Sequence, residues 1–331
     1  DQYGAGDTIR EKCIPIRKVA VTNASGRQLS CFDLDHLGPG FASMACFVAL
    51  RPVLLAALGQ CVPAKSIHTR RRAVRIETAQ DRVRLHLEDG GMEEGDVLVG
   101  ADGLHSLVRP LVAGSDEVRY SGQTCFRGVA RYRAVQPPVL RELQGTGQRG
   151  GICPVCAETV YWWTALNAPA GQILAQGQRK ALLLERFKSW PFGLEAAIAA
   201  TPGDAILQND LVDRRPAKSY AQGHLVLVGD AAHPTTPNLG QGANMAIADG
   251  IALARCLRDS ASIPAALAQY QEERLPHTRQ IVEQSWTFGQ MCLWKSRTAV
   301  GGRELLLRTI PGFMTRRTLR QLLQGTASLS N

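Results

Sequence analysis

The chain has 331 residues and a formal net charge of +9, with 45% hydrophobic and 20% charged residues. That length exceeds one average domain and suits two closely joined ones, and the composition is that of an ordinary globular protein. No apolar run approaches the roughly 18–20 residues of a membrane span. The basic residues are dispersed, apart from Arg70-Arg71-Arg72, Arg214-Arg215 and Arg316-Arg317. None of these clusters has aromatic interleaving or a nucleic-acid-binding motif, so the charge reads as solvated faces. Part of the excess would attract anionic ligands.

In chain order, residues 1–12 read as the end of a helix and a turn. Ile16–Val21 and Gln28–Leu34 are short strands around the Asn23-Ala24-Ser25-Gly26 turn signal. Ala49–Leu58 is a helix that tolerates Pro52 in its first turn. Val74–Ile76 and Arg82–Leu87 alternate as strands around Gln80-Asp81. Asp96–Arg109, DVLVGADGLHSLVR, begins as a buried strand and breaks at Gly100-Ala101-Asp102-Gly103. Ser106 and Arg109 are then expected three residues apart on a helical turn, facing one side.

Tyr120–Ala134, Thr159–Leu166 and Leu207–Val212 are rich in β-branched and aromatic residues and read as antiparallel strands of a second sheet. One alternating set, Tyr161 with Trp163 or else Trp162, would line a pocket; aromatic packing under the sheet is the other reading. Lys180–Lys188 and Glu195–Ala200 are helical, the second broken at Pro202-Gly203. Ile263–Arg279 is helical, kinked or ended at Pro276, and Glu283–Leu293 and Arg303–Thr309 are further helices. Thr315–Leu323 is a basic amphipathic end that packs on the body or meets a membrane surface. Nine cysteines are scattered. Cys153-Pro154-Val155-Cys156 lacks the second pair that a zinc site wants, so the thiols read as incidental, and their odd count suits a reducing, cytoplasmic setting.

The most informative stretch is Leu225–Asp249. Leu225-Val226-Leu227-Val228 is a buried strand that stops at Gly229-Asp230, a Pro/Gly loop follows, and Ala243–Leu257 is a nearly all-apolar helix. A carboxylate at the carboxyl end of such a strand can accept hydrogen bonds from sugar-like hydroxyls. Gly240 and Gly242 let backbone approach a flat ligand. The N–H groups near Ala243 and Asn244 form a positive helix end that favours negative charge.

The segment GDAAHPTTPNLGQGANMAIADG resembles the second FAD-binding motif of the single-component flavoprotein aromatic hydroxylases, the p-hydroxybenzoate and salicylate hydroxylase family. DG-x-x-S-x-x-R, from Asp102 to Arg109, resembles that family's DG motif. The resemblance implies an α/β fold: an FAD-binding doubly wound domain with a parallel sheet, a mostly antiparallel substrate-binding sheet, and C-terminal helices. Residues 1–115 and 214–290 would form the FAD domain, 116–213 the substrate domain and 291–331 a helical segment.

It also implies the site. Arg51 resembles the arginine that leads this helix in the family and reaches the FAD phosphates; a helix-surface arginine is the other reading. Asp102, Gly103 and Arg109 would position FAD and the incoming nicotinamide nucleotide. Gly229, Asp230, Gly240, Gly242, Ala243 and Asn244 would hold the flavin, with Pro234 and Pro237 as walls; no nucleophile or metal is implied. His233 borders this loop, in a packing or a proton-transfer role.

The implied activity is monooxygenation. NAD(P)H reduces FAD, O2 yields a C4a-hydroperoxyflavin, and oxygen passes to an aromatic or conjugated small molecule by hydroxylation or epoxidation. The strand–G-x-G-x-x-G–helix that opens family members is absent here, and the expected reason is that these residues are part of a longer enzyme. Its loss would expose apolar strands and unpair their backbone groups. Two alternatives are a shortened non-redox descendant that binds or cyclises an aromatic or polyketide-like ligand, and a nucleic-acid binder suggested by charge alone.

Overall fold

A computed structural model describes residues 4–34, 46–79, 81–132, 138–310, 317 and 320. The expected basic end at Thr315–Leu323 lies almost wholly outside these residues, as do Gln80 and the end of the Tyr120–Ala134 strand beyond Tyr132.

The chain opens with α1 (Ala5–Lys12), β1 (Pro15–Ile16), β2 (Lys18–Asn23), β3 (Gln28–Asp33), β4 (Cys46–Phe47) and α2 (Arg51–Gly59). Asn23 builds the β2–β3 turn, its Oδ1 accepting from the N–H groups of Ser25 (3.1 Å) and Arg27 (2.9 Å). Then come β5 (Ala73–Thr78), β6 (Val83–Leu87), β7 (Met92–Gly95), β8 (Leu98–Gly100) and α3 (Arg109–Ala113). The middle carries β9 (Val118–Arg131), β10 (Val139–Gln144), β11 (Gln148–Cys156), β12 (Thr159–Asn167), α4 (Gln176–Arg186), α5 (Leu194–Ala200) and β13 (Leu207–Arg214). β14 (Ala221–Gln222), β15 (Leu225–Leu227), α6 (Gly242–Asp259), α7 (Ile263–Cys292) and α8 (Arg297–Thr309) complete it.

Two compact units emerge, one within Asp1–Ile67, Gly122–Asp210 and Met291–Leu319, the other within His68–Ser121, Leu211–Gln290 and Arg320–Asn331. The sequence grouped residues 1–67 with the cofactor-binding portion. Here they pack with the 122–210 sheet, because β2 pairs in parallel with β10 and extends it. That sheet runs β13-β9-β12-β11-β10-β2-β3. One face is covered by α4 and α5, with Trp162, Leu183, Phe187, Leu194 and Ile198 fully buried.

β10 and β11 were not expected. Gly150, Gly151 and Pro154 argue against a strand on local propensity. Tertiary packing demands them: a Cβ on Gly150 would meet Leu194 Cδ2 at 2.6 Å, and one on Gly151 would overlap the Trp163 indole. Pro154 sits beside a register shift, where a missing N–H is tolerated.

The second unit contains a three-stranded sheet, β14-β15-β8, whose β15–β8 pair is parallel. β8 is an edge among the described residues, and its Val99 is 41% exposed. Beneath this sheet α6 and α7 bury Ala248, Ala252, Leu253, Leu267 and Tyr270.

Two expectations need correction. Pro276 neither ends nor divides its helix: α7 runs unbroken across it to Cys292. Tyr270 and Arg274 on one side, and Thr278, Ile281, Val282 and Ser285 on the other, are all buried, and this packing outweighs the roughly 3 kcal/mol cost of an interior proline. Ser106 precedes its helix, which starts at Arg109. Its Oγ accepts from the N–H groups of Val108 (3.1 Å) and Arg109 (3.0 Å), a hydroxyl's favoured role at a helix start. Among the described residues no helix is long and apolar enough to cross a membrane.

Candidate functional site

The site grows from the ends of two parallel strands. Leu225, Val226 and Leu227 are buried and pair with Leu98, Val99 and Gly100, and Val228 N–H donates to Gly100 O at 3.0 Å. Both strands then break at glycine. Gly229 has φ 58°, and a Cβ there would lie 3.1 Å from Ala246 Cβ on α6, so conformation and space both require glycine. Gly103 has φ 79°. Asp102 and Asp230, two residues past the last β8 residue and three past the last β15 residue, thus stand at the same carboxyl edge, and both are exposed. Asp102 Oδ2 accepts from Leu107 N–H at 2.7 Å, which closes its own loop.

The loop after Asp230 is fixed from below. Pro234 is buried and Pro237 exposed. Asn238 Nδ2 donates to Ser285 O (2.7 Å) and Thr236 Oγ1 (2.9 Å), and Ser285 Oγ donates to Thr236 O (2.6 Å). Gly240, at φ 64°, turns the chain into α6. No side chain caps that helix, and Ala243 and Asn244 in its first turn are exposed. An 18-residue helix therefore presents free N–H groups and the positive end of its dipole beside the loop.

A buried carboxylate ties strand, loop and helix together. Asp249, on α6 and fully buried, accepts from Gly229 N–H (2.9 Å), His233 Nε2 (2.5 Å) and Arg274 Nε (2.9 Å). Burial alone would raise this carboxyl. The His233 hydrogen bond, the charges of His233 and Arg274, and the Gly229 N–H outweigh it and hold the group below its ordinary range. His233 is 1% exposed, and among the described residues its Nδ1 has no hydrogen-bond partner. Sequence reasoning missed Asp249 and Arg274. The signal for Asp249 was a lone carboxylate in an otherwise apolar helix segment; nothing local marks Arg274, 25 residues further on.

Arg109 is spent within the chain. Only 3% exposed, it reaches both Asp116 oxygens (2.9 and 3.0 Å), the carbonyls of Ala231 (2.9 Å) and Ala232 (2.7 Å), and Arg215 O (3.3 Å). It clamps the Asp102 segment to the Asp230 segment. Asp102, Gly103, Gly229, Asp230, Pro237, Gly240, Gly242, Ala243 and Asn244 therefore belong to one unit, with Arg109 beneath them.

Arg51, Tyr161 and Trp163 lie in the other unit. Arg51 is the exposed first residue of α2. Trp162 is fully buried and donates from Nε1 to Thr201 Oγ1 at 2.8 Å, which leaves Tyr161 and Trp163 on the opposite sheet face. There the Arg149 guanidinium lies 5.2 Å from the Trp163 ring centroid, and burial pushes the Tyr161 phenol up to about 12.

An exposed acceptor at a parallel strand end, glycines that clear the approach and an uncapped helix start fit the ribityl and ring portions of FAD. Residues 1–285 match the family described as FAD binding domain. The chain is 39% identical over 247 residues to "Aurachin C monooxygenase/isomerase" of Stigmatella aurantiaca, covering 74% of this chain and 64% of that protein. It is 34% identical over 266 residues to "2-heptyl-3-hydroxy-4(1H)-quinolone synthase" of Pseudomonas aeruginosa, covering 78% and 68%. It thus spans about two-thirds of the length of these relatives. The crystal structure of Klebsiella pneumoniae HpxO complexed with FAD and uric acid superposes with a TM-score of 0.88 at 27% identity, over 97% of this chain and 83% of that one. The chain belongs to the FAD-binding-domain family of aromatic-hydroxylase-like flavoprotein monooxygenases.

Proposed function

We propose that this protein is an FAD-dependent monooxygenase that uses NAD(P)H and O2 to oxygenate an aromatic or conjugated small molecule. The observation that carries this reading is the pair of exposed carboxylates, Asp102 and Asp230, at the same edge of two parallel strands, with the uncapped α6 start beyond them. Bound FAD would supply the redox and oxygen chemistry. Asp230 would accept hydrogen bonds from its ribityl hydroxyls. The N–H groups of Gly242, Ala243 and Asn244 would stabilise negative charge on the reduced ring. Exposed Pro237 would wall the ring, while buried Pro234 would stiffen the loop from behind. Arg109, fully engaged with protein acceptors, would position Asp102 and Asp230 rather than touch phosphate. Tyr161 and Trp163 would face substrate, and Arg51 would contribute to the FAD phosphates. The relative named a monooxygenase/isomerase supports oxygen transfer, and the one named a quinolone synthase supports a conjugated ring substrate.

The test is Asp230→Ala, read by the visible absorbance of retained flavin and by NAD(P)H oxidation. Loss of most bound flavin is expected, since a buried or desolvated acceptor removed from a polar ligand costs about 1–3 kcal/mol per unpaired group. Flavin content and oxidation rate both equal to those of the parent would sink the assignment.

A further inference from the structure

Four thiols of the first unit, Cys13, Cys46, Cys153 and Cys156, lie on or beside β1, β4 and β11. Cys153 and Cys156 both lie on β11, the first buried and the second exposed. The strand shifts register between Pro154 and Cys156, so the two pair with Tyr161 and Thr159 of β12.

Cys156 has another neighbour. Ile14 N–H donates to Val155 O at 3.3 Å. Cys13 and Cys156 each adjoin one partner of that bond, and Cys156 is a group whose charge acts on Cys13, so the two thiols are neighbours. A disulfide between them needs Cα atoms within about 7 Å.

The two thiols differ in environment. Cys156 is exposed and opens the β11–β12 hairpin turn. The Thr159 hydroxyl, then the backbone N–H groups of Glu158 and Thr159, stabilise its thiolate and hold the thiol below its ordinary range. Cys13 is 7% exposed; burial, then the nearby Cys156, pushes its thiol up.

We propose that Cys156 and Cys13 form a hydroperoxide-responsive thiol pair, with Cys156 attacking and Cys13 resolving. The Cys156 thiolate attacks one oxygen of a hydroperoxide: the S–O bond forms, the O–O bond breaks, and the alkoxide or hydroxide leaves and takes a proton. Cys13 sulfur then attacks the resulting sulfenic acid: the S–S bond forms, the S–O bond breaks, and water leaves with the Cys13 proton. Two thiols lose two electrons, and the hydroperoxide is reduced to an alcohol, or water, and water. The pair requires no bound cofactor, so it stands apart from the flavin reading.

The experiment treats the whole protein with hydrogen peroxide and maps disulfides by peptide mass spectrometry. A Cys13–Cys156 link is expected in the parent and in Cys153→Ser, and none in Cys156→Ser. In Cys13→Ser, dimedone should tag Cys156 as the stalled sulfenic acid. Iodoacetamide at neutral pH should alkylate Cys156 in the untreated parent several-fold faster than the exposed Cys31 and Cys61, a measurement that does not depend on any variant folding. A parent that yields no Cys13–Cys156 peptide, or a Cys156 no faster than Cys31 and Cys61, overturns the proposal.

Discussion

Asp249 shows how one side chain sets the geometry around a ligand it need not touch. Its two oxygens accept from the turn glycine, a loop histidine and an arginine of the next helix, all without solvent. Asp249→Asn would leave the Arg274 charge buried and poorly matched, at a cost of about 3–5 kcal/mol near neutral pH. The sign with pH follows from a carboxyl held below its ordinary range. Its stabilisation is fully present above the unfolded value of about 4 and is lost as pH falls through the folded value. Urea midpoints of parent and variant should therefore differ most near pH 7 and converge below pH of about 4. A gap that stays constant across that range would mean that Asp249 acts by shape rather than charge. Asp230 and Gly229 were legible in the sequence because an apolar run stops at them. The Asp249–Arg274 contact was not, because it joins two helices that only the fold brings together.

The sheet of the first unit is held in register by glycine–tryptophan pairs. Gly128 stands opposite Trp162, and Gly151 opposite Trp163. A Cβ on Gly128 would lie 2.7 Å from Trp162 Cζ2 and 3.0 Å from Thr201 Cγ2, on the face buried under α5. Gly128→Ala should cost about 1–3 kcal/mol, because Trp162 is fully buried and has nowhere to move. Gly151→Ala meets Trp163 on the opposite face, where the half-buried indole can turn aside. The drop in denaturant midpoint should be the larger for Gly128→Ala; the reverse order would show that the Trp163 face is the tighter one. The same pairs explain what could be read from composition. β9 and β12 announce themselves through β-branched and aromatic residues, whereas β11 carries the two glycines that Leu194 and Trp163 require and so looks like a loop.

Each unit owns its hydrophobic core. Phe126, Trp162, Leu183, Phe187, Leu194 and Ile198 belong to one, and Val108, Leu225, Val226, Leu227, Ala252 and Tyr270 to the other, with no residue in common. That two strands end in carboxylates, and that other strands are aromatic, could be read from the sequence, but not the way residues 1–67 join the sheet. That arrangement rests on β2 finding β10 more than 100 residues away, a pairing with no local signal. Separate cores predict separable stability. Leu194→Ala removes a fully buried side chain from the first core, at about 2–5 kcal/mol. Native-state hydrogen exchange should then quicken at the amides of β11 and β12, while Val226 and Leu227 in β15 keep their protection. β9 and β13 run through the boundary between the units, so their amides should show the change fading along each strand. Equal acceleration everywhere would mean that the molecule opens as a single cooperative body and that the two cores share their free energy.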